Sequence, residues 1–441
     1  MSHSDRVAAS LLRQLPPDLG AIAMRHRDHT VVAAEPEEVF VAPGAEGLAG
    51  LDRLTPGFWA GFLAFELGHA VERVTSPLTA GHAMGGASRE AAAVPDVVFA
   101  RFDARALISS DGRVAVEGDG RGRSALELAA NRVASLGDPA GLQAPDFEPL
   151  HVAAGDPAQW HSSLTRDAYE ARACKVLALL AAGECYQVNL TRRLTNDRAL
   201  DPVALYAALA ARHPAPHLSF LRLGIAGRQL AVVSASPERF LRRDRASVET
   251  RPIKGTAASA ARLRASAKDH AENVMIVDLA RNDLGRVCTP GSIRVPGLCA
   301  VEAHPGLHHL VSTVRGTLRP EVALSDLVRA TFPPASVTGA PKPRVLQVIE
   351  DVEPVRRGVY CGALGWLDTA NDTADLSVAI RTFTILGTGS GGFTHFGVGG
   401  AIVADSRPDA EWHETELKSA RLLAIAGGDA HAVIEDALVA T

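Results

Sequence analysis

Apolar and polar positions change texture twice along this chain. Up to about residue 135, short apolar runs such as FWAGFLAF (58–65) and VPDVVFARFDARALI (94–108) read as strands, separated by the Gly/Ala/Ser-rich loop SPLTAGHAMGGAS (76–88). A Pro/Gly/Asp-rich connector, LGDPAGLQAPDFEPLHVAAGDPAQ (136–159), follows. Beyond it, DAYEARACKVLALLAAG predicts a helix that starts at Asp167 with Glu170 three residues on, gathers Val176, Leu179 and Leu180 on one face and stops at Gly183. A strand comes next: in YQVNLTRRL, Tyr186, Val188 and Leu190 point one way and Gln187, Asn189 and Thr191 the other.

The same patterns carry chemistry further on. SAKDHAENVMIVDLARNDLGR (266–286) reads as a helix apolar on nearly every face, hence buried, yet its first turns hold Asp269 and Glu272 at i and i+3. DSRPDAEWHETELKSARLLAI (405–425) opens with Asp405 and Ser406 as N-cap candidates and Pro408 in the first turn, then sets Glu411, Glu414 and Lys418 along one face. One acidic pair on a helix is ordinary solvated surface. Two such helices facing a common cleft suit Mg2+, which takes one or two carboxylates and keeps positions open for water and an anionic ligand. LSVAIRTFTI (376–385) alternates as a strand with Arg381 between Ile380 and Thr382, and a guanidinium fork pairs well with a carboxylate. ASVTGAPK is a turn whose Thr338 hydroxyl and following N–H groups suit an anion, FTHFGVGGAIVADS is a glycine-rich strand and loop, and HPGLHHLVSTV brings His308 and His309. Lys254, in SVETRPIKGTAAS, would by itself read as a solvated cation.

Composition narrows the ligand. The 441 residues are 47% hydrophobic and 22% charged, enough for a large core, and 45 basic against 50 acidic side chains give a net charge of −5 without a basic run. Nucleic-acid binding therefore has no electrostatic footprint, and a small molecule is the expected partner. Five cysteines, Cys174, Cys185, Cys288, Cys299 and Cys361, lie far apart with no CxxC pair, which argues against a zinc site or a disulfide framework. With no signal-like start and no apolar run of membrane-spanning length, a cytosolic address and no membrane partner are expected.

Taken in order, GECYQVNLTRR, SASPERF, RPIKGT, DHAENVMIVDLARNDLGR, HHLVSTV, VTGAPK, YCGALGW, AIRTFTI and GGAIVADSRPDAEWHETELK resemble the chorismate-utilising enzymes, over residues of about 160 to 430. The resemblance implies an α+β fold with antiparallel sheets packed face to face and helices outside. Its amino-terminal region (1–150) and chorismate-binding catalytic region (160–430) are expected to form one intertwined unit. By similarity, Glu272 and Glu414 are Mg2+ ligands with Asp269 and Glu411 close by, and Thr338, Tyr360, Arg381, the backbone at Gly399 and Gly400, and Lys418 surround the carboxylates of chorismate. Glu238 resembles the family's proton-transfer carboxylate, and His309 the histidine that orients the ring. Ala335 and Ala401 stand where glycine is usual.

Gln187 occupies the position at which water-using members carry a basic lysine, so ammonia is the expected nucleophile. Lys254 within PIKGT is typical of the aminodeoxychorismate synthase component I branch, in which C4 is aminated through a covalent lysine intermediate on the way to 4-aminobenzoate and folate. Anthranilate synthase component I is the nearer alternative; isochorismate or salicylate synthases and a non-catalytic chorismate-binding paralogue are further off. No cysteine sits in a GxCxGxQ glutaminase elbow, so ammonia is expected from a separate glutamine amidotransferase subunit.

Overall fold

A computed structural model describes residues 2–26, 28–74, 94–135, 160–304 and 307–427. The 76–88 loop and the 136–159 connector lie outside the described residues. Two large sheets, antiparallel in every pairing among the described residues, stack against each other. The first contains Gly339–Ala340, Gln187–Asn196, Phe393–Ile402, Thr382–Leu386, Arg228–Ser236, His217–Ile225, Ala21–His26, His29–Ala34, Arg105–Ile108 and Val114–Glu117, in that spatial order. The second runs Ile253–Ala257, Leu307–Thr317, Ser247–Arg251, Arg239–Asp244, Thr373–Val378, Ala363–Asp368, Phe58–Leu63, Val97–Arg101 and Glu38–Ala42. Each sheet thus takes strands from both ends of the sequence.

Period-two patterning sorts side chains into layers, because successive residues of a strand face opposite ways. Ile22, Met24, Leu221 and Val232 of the first sheet meet Phe58, Phe62, Val98 and Trp366 of the second in a core between the sheets. Their neighbours Ala21, Ala23, Phe220 and Val233 turn outward beneath the helices His3–Gln14 and Pro202–Arg212. On the second sheet Trp59, Leu63, Val97 and Phe99 turn outward into a core that also holds Leu327 and Val328 of Leu324–Thr331 and Val345 and Leu346 of Lys342–Val352. The α+β sandwich with helices outside is the expected fold.

Several local expectations are corrected. The helix expected from Asp167 is Arg166–Ala181, capped by Thr165 Oγ1 on the Ala168 amide, while Glu170 pairs with Arg166 instead of closing a capping box. Gln187, Asn189 and Thr191 are as buried as Val188 and Leu190, since this strand is covered on both faces. The Ala267–Gly285 helix is buried on one face only, leaving Val274 41% exposed. The run 376–385 is two strands, one in each sheet, with Arg381 at φ +53° in the bend between them.

That bend places the site. At Pro237–Glu238 the chain leaves Arg228–Ser236 in the first sheet for Arg239–Asp244 in the second, and at Ala379–Arg381 it returns from the second to the first. The two crossovers are tied together: the Val378 amide donates to Glu238 O at 3.0 Å and the Ala235 amide donates to Arg381 O at 3.0 Å. A carboxylate and a guanidinium, 143 positions apart in sequence (381 minus 238), are thereby fixed at the seam between the sheets.

Candidate functional site

Lys254 lies on Ile253–Ala257, a short strand of the second sheet paired along one side of Leu307–Thr317, with Arg294–His304 on the other side, and its Thr256 is paired with His309. The regular ladder breaks between Ile253 and Thr256, where Gly255 has φ +84°. A Cβ on Gly255 would come within 2.9 Å of the Asp269 side chain, so only glycine lets the start of the Ala267–Gly285 helix close over this strand. Lys254 Nζ donates to Ser336 O at 3.2 Å. Burial pushes its pKa below the ordinary lysine value, against the pull of Glu272, Glu238 and Glu414.

Glu238 is 4% exposed, and burial raises its carboxyl to about 7, with the nearby Ser336 hydroxyl, Lys254 and the Ile253 amide drawing it partly back. The Ser336 hydroxyl stands close without a hydrogen bond of ordinary geometry and is buried, so it remains an unused donor beside the acid. Both groups lie against Ser336 and act electrostatically on each other, which sets a protonatable acid beside an amine whose ionisation burial disfavours.

Arg381 and His309 form a second, adjoining group, lining a cavity of about 40 Å3 with His213 and His304. Arg381 Nη1 donates to His213 Nε2 at 3.1 Å, and burial with the Arg381 charge keeps His213 neutral, at about 4. His309 is held down to about 3 by burial and Arg381, and its Nδ1 shares a 2.9 Å hydrogen bond with Thr256 Oγ1. A neutral imidazole can accept or donate a hydrogen bond at this position but supplies no positive charge.

The remaining predicted residues sit around Phe393–Ile402. Gly399 and Gly400 pair with Thr191 and Leu190, and Lys418 Nζ donates to Gly399 O at 3.0 Å while pairing with Glu414 at 2.5 Å. Partial burial pushes Glu414 up, but Lys418, Lys268 and Lys254 hold it below the usual carboxylate value. Glu411 is buried, raised by that burial, and accepts from Ser406 Oγ at 2.6 Å. Ser406 is therefore not the N-cap expected for this helix; Arg407 holds that position without a side-chain cap, and Asp405 lies before it. Thr338 is fully buried, its hydroxyl donating to Pro334 O at 2.9 Å and its carbonyl accepting from the Asn189 amide at 2.9 Å. Tyr360 is buried, with its hydroxyl pushed well above the ordinary phenol value by burial and Cys361.

Among the described residues no three acidic, histidine or cysteine side chains come together as a ready metal cluster. The donor set still fits Mg2+, which needs only one or two carboxylates beside oxygen ligands from water and substrate. Glu272 and Glu414 both act on Lys254, and a Cβ on Gly400 would meet Glu411 Oε2 at 3.0 Å and Glu414 Oε1 at 3.8 Å, so the missing side chain leaves a cradle lined by carboxylate oxygens. Ser336 and His213 were not anticipated. Ser336 acts through its carbonyl, and His213 meets Arg381 from 168 positions away, so neither has a local sequence signal.

Residues 19–424 match the profile of the chorismate-binding enzymes. Aminodeoxychorismate synthase component 1 of Escherichia coli is 43% identical over 274 residues, which is 60% of this chain and 58% of that protein. The chain thus spans just under three fifths of the length of that relative. Anthranilate synthase component 1 of Streptomyces coelicolor is 35% identical over 94% of this chain and 83% of its own. Among solved structures, anthranilate synthase component I from Streptococcus pneumoniae superposes with a TM-score of 0.71 at 25% identity, covering 90% of this chain and 92% of that one. Fold, motif order and sequence agree, and the chain belongs to the chorismate-binding enzyme family.

Proposed function

We propose that this chain aminates chorismate at C4 with ammonia to give 4-amino-4-deoxychorismate, as the chorismate-consuming component of an aminodeoxychorismate synthase. The observation that carries this reading is Lys254, an amine with a lowered pKa that donates to Ser336 O at 3.2 Å and is electrostatically coupled to Glu238, an acid held at about 7 beside the same Ser336. Arg381 and Lys418 anchor the carboxylates of the substrate, with Thr338, Tyr360 and the Gly399–Gly400 backbone shaping the site. Neutral Lys254 attacks C2 as both ring double bonds shift, C1=C2 to C1=C6 and C5=C6 to C4=C5, and the C4 hydroxyl leaves as water, protonated by Glu238. Ammonia then attacks C4, both double bonds return, the C2–N bond to Lys254 breaks to free the amine and the new ammonium gives its extra proton back to the Glu238 carboxylate, so two successive displacements give net retention at C4. His309 orients the ring as a neutral group. Glu272 and Glu414, with Asp269 and Glu411 through water, would hold Mg2+, which when bound neutralises carboxylate charge on the substrate.

Ammonia would come from a glutamine amidotransferase subunit, consistent with the component 1 naming of the relatives. A cytosolic, reducing setting suits the five free cysteines, and among the described residues no helix is long and apolar enough to cross a membrane. Synthesis of 4-aminobenzoate for folate is the pathway this product would serve. Anthranilate synthase is the second reading, favoured by the relative that covers 94% of the chain. Product identification decides between them: chorismate, Mg2+ and ammonium should give 4-amino-4-deoxychorismate, convertible to 4-aminobenzoate only on adding a separate lyase, and glutamine alone should give no turnover. Anthranilate as product would overturn the C4 assignment.

A further inference from the structure

Arg357 has no place in the chemistry above, yet its side chain is among the most completely engaged in the molecule. It follows the Lys342–Val352 helix by a few residues and lies under the phenyl ring of Phe65, 4.3 Å from guanidinium carbon to ring centroid. Its side chain is 2% exposed and that of its partner Glu353 3%. An ion pair so buried stabilises only where its hydrogen bonds are satisfied, and here each guanidinium nitrogen is used. Nε donates to Glu353 Oε2 at 2.8 Å, Nη1 to Val337 O at 2.9 Å, and Nη2 to both Glu353 Oε1 at 2.6 Å and Asn189 O at 2.7 Å.

The carbonyls it holds belong to two separate segments of the site. Val337 immediately precedes Thr338. Asn189 is paired with Ala401, and the next two residues, Leu190 and Thr191, pair with Gly400 and Gly399. Glu353 completes the junction by accepting the Thr191 amide at 2.8 Å. On its other side the Arg357 amide donates to Glu66 Oε1 at 2.7 Å, so the anchor is itself fixed to the amino-terminal region. Three residues on from Arg357 comes Tyr360, whose ring fills the space that a side chain on Gly397 would need.

We infer that Arg357, braced by Glu353, is a positioning residue for chorismate: its planar fork sets the spacing between the Thr338 turn and the Gly399–Gly400 backbone, the two walls on which the substrate carboxylates rest. This rests on the functional reading above. Lysine, a point charge with tetrahedral donors, cannot reproduce four directed bonds to three partners.

The test uses the full chain with chorismate binding measured by calorimetry in the presence of Mg2+, alongside steady-state kinetics with ammonium. In Arg357→Lys and in the milder Glu353→Gln, chorismate affinity should fall at least tenfold and the chorismate KM rise in parallel, while the ammonium KM stays within twofold. In Arg357→Ala, added guanidinium chloride at low millimolar concentration should recover part of the chorismate affinity, and methylammonium chloride should not. Unchanged chorismate affinity in either folded variant overturns the inference, as does an equal rise in both KM values. If Arg357→Lys fails to fold, Glu353→Gln decides alone, and if that too is unfolded the pair is a stability element and the inference falls. Wild-type protein that does not bind chorismate would instead refute the functional reading, a result separable from these.

Discussion

Glu238→Gln should inactivate this protein and, at alkaline pH, make it more stable. The carboxyl is 4% exposed and its pKa stands at about 7 in the fold against 4.5 for an unperturbed group. Because the folded value is the higher one, the folded chain holds the proton more tightly than the unfolded chain, and stability falls as pH rises from 4.5 through 7. At about 1.4 kcal/mol per pH unit, the ionised carboxyl destabilises the fold by about 3 kcal/mol above pH 7, and by nothing below the unfolded value. The attraction of Lys254 is already contained in that figure, since Lys254 is one of the groups drawing the value down. Glutamine keeps the shape and never ionises. Urea denaturation of both proteins at pH 8.5 should therefore favour the variant by about 3 kcal/mol, with the gap closing toward pH 4.5. Turnover of chorismate should drop by about 100-fold or more with loss of the acid. The wild-type kcat/KM, measured at constant free ammonia, should decline with rising pH through a limb near 7. A stability difference equal at pH 5 and 8.5, or a variant less stable than wild type at pH 8.5, would refute the placement of an ionisable, desolvated acid at this crossover.

Lys254→Ala should abolish C4 amination yet still bind chorismate, and wild type given chorismate without ammonia should gain the mass of chorismate less one water on the PIKGT peptide; an adduct elsewhere, or near-normal amination in the variant, removes the covalent role. Lys254→Arg should be equally inactive, because guanidinium stays protonated. Glu272→Gln and Glu414→Gln should each remove Mg2+-dependent activity without lowering the melting temperature, and full activity in excess chelator would mark these carboxylates as solvated surface. Gly400→Ala, whose Cβ would meet Glu411 at 3.0 Å, should weaken Mg2+ binding measured by titration calorimetry at least fivefold, and unchanged binding would place the metal away from this cradle.

Sandwich and helices were legible because strand patterning is local: Phe58–Leu63 and Val97–Arg101 are short apolar runs whatever their partners. What patterning does not carry is a change of sheet. Alternation continues through Ala379–Arg381, so one strand was expected where the chain passes between layers, and Arg381 was placed on a ladder when it occupies a left-handed bend. The motifs pick out the residues proposed for chemistry but not their supports. His213, Ser336 and Arg357 act on partners remote in sequence through carbonyls and ring nitrogens, and such bonds leave no periodic trace. Capping was misread where another hydrogen bond won, as at Ser406, whose hydroxyl goes to Glu411.

The interleaving of strands limits how this chain can be cut. In the first sheet His217–Ile225 is followed by Ala21–His26, and in the second Ala363–Asp368 is followed by Phe58–Leu63. A piece beginning at residue 160 keeps every residue proposed for chemistry but loses both neighbours at once. It would present two raw strand edges, each a row of unpaired N–H and C=O groups, beside the uncovered side chains of Leu221 and Trp366. Such edges recruit other copies of themselves, so the chemically complete fragment should be recovered as aggregate: the amino-terminal strands are the cover that keeps those edges paired.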